Sequence, residues 1–283
     1  MAGVIEKISI QKQNTQSTLL IPLYGRAIAG KRFPDILRDV EAERIIENID
    51  YDFSKISSIY GSEYTSLSCL VRAMSVDKRV NDFIELYPNT RVINLGCGLD
   101  DTFSRIDNGH ILNYNIDLPE VIEFRQMFLE PSERSYDIGK SMLDFSWLDL
   151  IEERQNAPVF VIAAGLFYFF KENEIKVLIN KLIENFPLGE VFFDAFSYKG
   201  MKIANKMVKR TGNIEAVMKF WVNNAKDLRS WSPAISEVSI LPYFGKLYKD
   251  KRLKLKTRFL MWGGDFLKRT KFVSVKWGTH TKE

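Results

Sequence analysis

The sequence predicts an α/β fold in which a doubly wound, mostly parallel sheet follows a helical N-terminal cap. From residue 91 onward, short apolar runs alternate with helical patterns. Such alternation is typical of parallel strands that are covered by helices on both faces of the sheet. The last apolar run, KFVSVKW (271–277), alternates apolar and polar residues, and we expect the last strand to be antiparallel.

The cap is predicted from helical spacing in the first third of the chain. The stretch DILRDVEAERIIENI (35–49) places its apolar residues near helical spacing with charged residues between them. A second helical pattern, SLSCLVRAMSVDKRVNDFIELYP (66–88), continues until Pro88 stops it. We therefore expect a helical cap over residues 1–88.

The remainder, residues 89–283, is predicted to form one α/β domain. We expect four strands in the first part of this domain, with two helices between them, and two further strands near its end. Residues 199–235 are mainly helical in pattern, and we expect this insertion to form a lid over the site. The predicted strands are 91–95, 111–117, a run beginning at 158, 189–197, 236–244 and 271–277, and the helices are 119–129 and 171–186.

Composition excludes several classes of protein. A net charge of +4, from 40 basic and 36 acidic residues, gives no case for a nucleic-acid partner. No apolar stretch approaches the roughly 18–20 residues of a membrane span, and the N-terminus has no signal-peptide core, so we expect a cytoplasmic protein without a membrane partner. Cys69 and Cys97 make no disulfide framework, and His110 and His280 have no metal-ligand spacing, so no metal is expected. The oligomeric state is left open.

One local stretch departs from this balance of charge. Residues 246–276 hold eleven lysines and arginines against Asp250 and Asp265 alone. A charge run of this kind is usually a solvated surface. The alternative is a surface that attracts an anionic partner or substrate.

The sequence VINLGCGLDDTF (92–103) is the first indication of a ligand. Gly96-Cys97-Gly98 follows the first predicted strand of the sheet, and ligands of doubly wound folds bind at the carboxyl ends of strands. Asp117 ends the next strand, 21 residues after Gly96, where a carboxylate can accept hydrogen bonds from a ribose diol. The two features together indicate an adenosine site. The alternative is a strand turn followed by a helix-capping aspartate.

The spacing also bears on which adenosine ligand binds. A dinucleotide fingerprint needs a third glycine where this chain has Asp101, and Asp100 with Asp101 would repel a diphosphate. No phosphate-binding P-loop motif is present. S-adenosylmethionine, which carries a sulfonium and an ammonium group, fits better than NAD or ATP.

Three segments resemble the leucine carboxyl methyltransferase family, and more closely its bacterial branch of polyketide O-methyltransferases. They are VINLGCGLDDTFSRID, YNIDLPEVIEFR and FVIAAGLFYFF, and the resemblance extends over at least residues 19–197. It implies the Rossmann-like sheet of class I methyltransferases. It also implies an S-adenosylmethionine-dependent O-methyltransferase.

The resemblance assigns cofactor contacts to ten positions. The glycine loop would cradle the cofactor, Asp117 would hold the ribose hydroxyls, and Arg72 would pair with the methionine carboxylate. Leu118 and Asp144 would lie near the adenine. The full implied set is Arg26, Arg72, Gly96, Cys97, Gly98, Asp117, Leu118, Asp144, Ala164 and Gly165. Alternatives stay open for two of them, because Arg72 would also suit a helix surface and Arg26 would also suit a pair with Asp35 or Asp39.

The acceptor is expected to be a small-molecule carboxylate or hydroxyl, as in polyketide-like substrates. The protein-directed branch of the family has a glutamate where this chain has Ala164, which weakens, without removing, the alternative of a protein C-terminal carboxyl methyltransferase. A non-catalytic relative that binds the cofactor is a further alternative. A carboxylate acceptor requires no general base, whereas a phenol would gain from a polarising group. Candidates for positioning the acceptor are Tyr24, Tyr168 and Asp194.

Overall fold

A computed structural model describes residues 8–9, 14–210 and 217–279. Part of the predicted cap (1–7 and 10–13), part of the predicted lid insertion (211–216) and the C-terminal residues 280–283 with His280 lie outside the described residues. Two short strands, β1 (Ile8–Ser9) and β2 (Ile49–Asp50), pair in parallel with each other. None of the described helices is long and apolar enough to cross a membrane.

The main sheet has seven strands in the order β5-β4-β3-β6-β7-β9-β8. The first five of that order are parallel to one another, and β9 runs antiparallel to both of its neighbours. This confirms the predicted Rossmann-like α/β sheet with an antiparallel last strand. The strands are β3 (Arg91–Leu95), β4 (Leu112–Asp117), β5 (Ser135–Gly139), β6 (Val159–Ala163), β7 (Gly189–Phe196), β8 (Ile235–Pro242) and β9 (Thr270–Trp277).

Ten α-helices lie within the described residues, four of them before the first strand of the main sheet. Short 3₁₀ helices cover Phe145–Leu150, Phe167–Phe169 and Leu247–Lys249. The α-helices are α1 (Asn14–Arg32), α2 (Val40–Asn48), α3 (Ser54–Tyr60), α4 (Glu63–Ile84), α5 (Thr102–Ile106), α6 (Pro119–Gln126), α7 (Glu172–Asn185), α8 (Tyr198–Arg210), α9 (Ala225–Arg229) and α10 (Leu255–Phe266).

Burial on both faces of the sheet explains why its central strands are mostly apolar. All residues of β3 and β6 are buried. Ile93 packs in a cluster with α7, whereas its neighbour Val92 packs in a second cluster with α4. A third cluster joins α1 and α2 to α6. The cap helices thus share the core of the sheet.

The long helices α1 and α4 approach each other closely at one glycine. A Cβ placed on Gly25 would lie 2.9 Å from both Cβ and Sγ of Cys69. No real Cβ contact is that short, so only glycine permits this packing. The contact places α4 against the sheet in a fixed orientation.

The structure differs from the predicted elements in several places. The helix predicted from residue 35 begins only at Val40, because the Asp39 carboxylate accepts a hydrogen bond from Ala42 N at 2.9 Å and so caps the helix. Residues 217–224 of the predicted lid insertion are not helical. The sequence analysis also missed β5 and α10.

Candidate functional site

The candidate site lies at the carboxyl ends of β3, β4, β6 and β7. The chain runs from β3 outward to β4 and β5 and then returns to form β6 on the other side of β3. This change of direction is the switch point at which doubly wound folds bind ligands. Register pairs Leu95 with Ile116, so Gly96 and Asp117 leave the sheet at the same level.

The glycine loop folds onto the Asp117 carboxylate. Gly96 has φ +64° and Gly98 has φ +49°, a region that favours glycine. Gly98 N donates to Asp117 Oδ2 at 2.9 Å, and Leu118 N donates to Asp117 Oδ1 at 2.8 Å. Burial raises the pKa of Asp117, although these two backbone donors oppose that rise. Each carboxylate oxygen retains a further lone pair for a ligand hydroxyl.

Buried arginines hold the far side of this loop. Arg26 Nε donates to Asp39 Oδ2 at 2.6 Å, and Arg26 Nη2 donates to the Leu99 carbonyl at 3.1 Å. Of the two partners weighed for Arg26, the structure therefore shows Asp39. The Arg26 guanidinium also stabilises the glycine loop, because Leu99 is part of that loop.

A second arginine, Arg105, neutralises the acidic end of the loop. It makes two hydrogen bonds to Asp77, at 2.6 and 3.1 Å, and a third to Asp100 Oδ1 at 3.1 Å. Burial alone would raise the pKa of Asp100, but Arg26 and Arg105 outweigh it and hold that pKa well below its usual range. Asp100 is therefore ionised, and Arg26 and Arg105, which also pair with Asp39 and Asp77, offset part of the charge that was expected to repel a diphosphate.

Arg125 of α6 is a supporting residue that the sequence analysis missed. Its Nη1 donates to the Gly98 carbonyl at 3.1 Å and to the Asp100 carbonyl at 2.7 Å, and its Nε reaches Asp137 Oδ1 at 3.3 Å. The available signal was its place in YNIDLPEVIEFR, eight residues after Asp117. That places it two helical turns along the helix that starts at the site.

A second group of residues lies beyond β6. Gly165 has φ +76°, and its N–H donates to Asp194 Oδ1 at 2.6 Å. Asp194 Oδ2 lies 3.5 Å from Arg72 Nη1, so the ion pair joins α4 to β7. A Cβ on Gly165 would lie 2.7 Å from the same Nη1. The sequence-predicted residues Arg72, Gly165 and Asp194 are thus in direct contact.

Charge and burial fix the protonation states in this group. Burial opposes the charge of Arg72, but Asp194 outweighs it and keeps the pKa of the guanidinium above its usual value. Burial, reinforced by Asp194, raises the pKa of Tyr168. The sequence analysis missed Tyr243, whose pKa is also raised by burial. The Tyr243 hydroxyl donates to the Ser68 carbonyl at 3.0 Å. Both phenols are therefore neutral hydrogen-bond donors near pH 7.

The other predicted residues have differing surroundings. Leu118 is exposed at the end of β4, and Ala164 is half-buried beside the second core cluster. Asp144 is exposed and caps the 3₁₀ helix after β5 by accepting from Ser146 N at 3.1 Å. Cys97 is buried, and burial raises the pKa of its thiol, which makes it unreactive. Tyr24 stacks on Phe53 with ring centroids 5.4 Å apart, within the cap.

A cavity of about 630 Å³ lies between α4, α8 and α10, and none of the residues of the second group lines it. Phe196 lines it, and the Phe196 ring centroid is 5.6 Å from that of Tyr168. Residues of α4, α8 and α10 form much of the remaining wall, including Tyr64, Ile203, Ala204 and Leu260. A second cavity, of about 550 Å³, is polar and lies near Arg125 and Asp137. Trp231 is buried in the first core cluster and does not line either cavity.

The residues present fit S-adenosylmethionine. The positive φ values of Gly96 and Gly98 and the absence of their Cβ atoms permit close approach to the loop backbone. Asp117 offers acceptors for two hydroxyls, and Arg72 offers guanidinium N–H groups to a carboxylate. These donors and acceptors match the ribose and amino-acid ends of the molecule.

Comparison with solved structures supports the fold. A putative methyltransferase from Thermobifida fusca YX superposes with a TM-score of 0.58 at 10% identity, covering 81% of this chain and 90% of that one. A DUF574 family protein from Streptomyces avermitilis MA-4680 gives a TM-score of 0.54 at 12% identity, covering 79% and 87%. At these identities the likeness concerns the fold alone.

Comparison of sequences identifies the family. The chain is 28% identical over 230 residues to the tetracenomycin polyketide synthesis O-methyltransferase TcmP of Streptomyces glaucescens, covering 80% of this chain and 82% of the relative. The leucine carboxyl methyltransferase profile matches residues 20–183, more than half of the chain. The protein therefore belongs to the leucine carboxyl methyltransferase family and is an S-adenosylmethionine-dependent methyltransferase.

Proposed function

We propose that the protein transfers a methyl group to the oxygen of a small-molecule carboxylate or hydroxyl. The observation that carries this proposal is the contact of Arg72, Gly165 and Asp194 beside the glycine loop, together with an apolar cavity whose lining residue Phe196 packs against Tyr168. The relative named a polyketide O-methyltransferase supports oxygen as the acceptor atom and a polyketide-like acceptor.

We assign the methyl donor to the carboxyl ends of β3, β4 and β6. S-adenosylmethionine supplies an activated methyl group, so the protein needs mainly to position its two substrates. Asp117 would hold the ribose hydroxyls and Arg72 the amino-acid carboxylate. Leu118 and Asp144 would lie near the adenine, and Ala164 with Gly165 near the methionine part. Arg26 and Cys97 would act as support for the loop rather than as direct ligands, since Arg26 is occupied by Asp39 and Leu99.

The protonation states favour a carboxylate acceptor over a phenol. Asp194 is occupied by Gly165 N–H and by Arg72, which leaves it poorly placed as a general base. Tyr168, with its raised pKa, can donate a hydrogen bond but not remove a proton near pH 7. A carboxylate is already ionised and needs only orientation, for which Tyr168 is suited. Tyr24 is less suited, because its ring packs on Phe53 in the cap.

We further propose that residues 1–88 and about 199–235 enclose the acceptor as a cap and lid on the 89–283 domain. Arg72 comes from α4 of the cap, and Ile203 with Ala204 of α8 line the cavity. An enclosed site excludes water and strengthens the electrostatic contacts within it.

A homocysteine-release screen over aromatic carboxylic acids and matched phenols tests this function. We expect turnover with carboxylic acids whose rate is nearly independent of pH between about 6 and 9, because the acceptor is ionised throughout. Turnover restricted to phenols, with a rate that rises with pH, would transfer the proposal to a hydroxyl acceptor. Cofactor binding without turnover on either class would indicate a non-catalytic relative.

The family match also supports a protein carboxyl acceptor as a second candidate. Ala164 disfavours it, because the protein-directed branch of the family has a glutamate at this position. Transfer of labelled methyl groups to a peptide that ends in leucine, at rates above those for small carboxylic acids, would favour this second candidate.

A further inference from the structure

Helix α10 exposes a continuous row of large apolar side chains. Leu255, Phe259, Trp262 and Phe266 are 79%, 68%, 42% and 69% exposed. Their spacing of four, three and four residues places them on one face of the helix. The Trp262 ring centroid lies 5.9 Å from that of Phe259 and 5.1 Å from that of Phe266, so the rings form a single patch.

The opposite face of α10 is fixed in the protein. Thr257, Met261 and Gly264 are buried, and Met261 belongs to the second core cluster. The orientation of the helix is therefore set by the core, and the aromatic row faces outward as a consequence. Single exposed apolar residues are ordinary, but a contiguous aromatic patch marks an interaction site.

The surroundings of the patch are basic. Residues 251–269 contain seven lysines and arginines and one acid, Asp265. Asp265 faces inward, because its carboxylate accepts hydrogen bonds from the backbone N–H groups of Tyr243, Phe244 and Gly245. Arg252 is paired with Asp35 and Asp250. The other exposed basic residues of the segment are Lys251, Lys254, Lys256, Lys268 and Arg269.

From this combination we propose that α10 docks the protein onto an anionic lipid surface. A helix with aromatic and leucine side chains on one face and flanking lysines lies in the interface of such a membrane, and it needs no spanning segment. The proposal departs from the expectation of no membrane partner, which rested on the lack of a spanning stretch. Of the two interpretations of the basic stretch, the proposal adopts the anionic partner.

Charge argues against a second copy of the chain as the partner. A twofold interface through α10 would bring two basic rims together, and like charges at short range repel. A lipid surface instead supplies both an apolar layer for the rings and negative charge for the lysines. Because Lys256, Leu260 and Gly264 of α10 line the larger cavity, docking would also bring that cavity next to the bilayer.

Co-sedimentation with vesicles tests the proposal on the full chain. We expect binding to mixed phosphatidylcholine–phosphatidylserine vesicles to exceed binding to pure phosphatidylcholine vesicles by at least about tenfold and to weaken with salt. The double variant Phe259→Ser/Phe266→Ser and the double variant Lys251→Glu/Lys268→Glu should each lose about tenfold or more of this binding. Leu86→Ser and Lys176→Glu change an exposed leucine and an exposed lysine elsewhere and should bind as the wild type does.

Three results would overturn the proposal. The first is wild-type binding that is absent or equal on the two kinds of vesicle, a result that does not depend on how any variant folds. The second is equal loss of binding in the control variants. The third is a wild-type dimer in sedimentation equilibrium that Phe259→Ser/Phe266→Ser converts to a monomer, which would assign the face to a second copy.

Discussion

Asp117 already uses each of its carboxylate oxygens once, toward Gly98 N and Leu118 N. Replacement by Asn keeps one acceptor and turns the other into a donor, which removes a ribose contact and one of the two backbone contacts. We expect Asp117→Asn to raise the dissociation constant for S-adenosylmethionine about 10–100-fold, the loss of one to two charge-assisted hydrogen bonds. Calorimetric titration measures it. Glu120→Gln, an exposed change three residues away, serves as the control and should leave the affinity unaltered.

If Asp117 holds the ribose as proposed, its raised pKa should make cofactor binding depend on pH. Because burial raises this pKa above its usual range, the carboxylate takes up a proton at a higher pH than an ordinary aspartate does. We expect the affinity to fall on acidification through this raised pKa, and to lack this step in Asp117→Asn. The folding stability of the free protein depends on pH in the opposite direction. A raised folded-state pKa stabilises the protein below the unfolded-state pKa, and this stabilisation is lost as the pH rises through the folded-state pKa. An affinity profile identical for the two proteins would refute the role of Asp117.

Gly165 is expected to control the position of Arg72. An added Cβ would be 2.7 Å from Arg72 Nη1, so Gly165→Ala displaces the guanidinium as well as straining the backbone at φ +76°. We expect an affinity loss of at least about tenfold for S-adenosylmethionine by titration. Gly109→Ala has similar strain at φ +85° but no atom within 4 Å of the new Cβ. It should lose about 1–2 kcal/mol of stability and keep its affinity. An equal affinity loss in both variants would show that strain alone is responsible.

At the scale of elements, the turn from β3 into α5 depends on a buried cation. Arg105 is shared by Asp77 and Asp100, and its removal leaves both acids without that partner. We expect Arg105→Ala to lower the free energy of unfolding by ~3–5 kcal/mol, measured by urea denaturation. Arg134→Ala breaks the exposed pair with Asp107 and should change stability little. Similar losses in the two variants would contradict the account.

The sequence predicts elements well where both faces are buried and poorly where polar groups dominate. β3, β6 and β7 are mostly apolar and almost wholly buried, and their observed bounds lie close to the predicted ones. β5 was missed because one of its two faces is polar. On that face Ser135 accepts a hydrogen bond from Asn113 of β4, and Asp137 accepts one from Asn115. α10 was missed because its apolar row faces outward instead of into the core.

The same distinction holds in the candidate site. The glycines and Asp117 follow from strand ends and spacing, which are local properties of the chain. The contact of Arg72 with Asp194 joins residues 122 positions apart in the sequence. The contact of Arg125 with the Gly98 carbonyl joins residues 27 positions apart. How much of the negative charge of Asp100 a ligand would meet depends on its ion pairs with Arg26 and Arg105, which no local pattern reveals. The loop was therefore identified from sequence, and its electrostatic support was not.

For the whole molecule, the proposed ligand site would join the cap to the sheet, because Arg72 lies on α4 and Asp117 ends β4. A ligand that binds only the folded state stabilises it by about 2.7 kcal/mol at a hundredfold excess over its dissociation constant. We expect S-adenosylhomocysteine at that excess to raise the melting temperature by roughly 5–10 °C, and NAD to leave it unchanged. A shift with NAD and none with S-adenosylhomocysteine would reverse the assignment of the ligand.

The central claim is that the methyl donor lies on the glycine loop between Asp117 and Arg72. A crystal structure with S-adenosylhomocysteine tests it most directly. The account predicts ribose hydroxyls on Asp117, the amino-acid carboxylate at Arg72, and the sulfur directed toward the cavity lined by Phe196. Occupation of the polar cavity near Arg125 and Asp137 instead, with Asp117 and Arg72 free of the ligand, would contradict it.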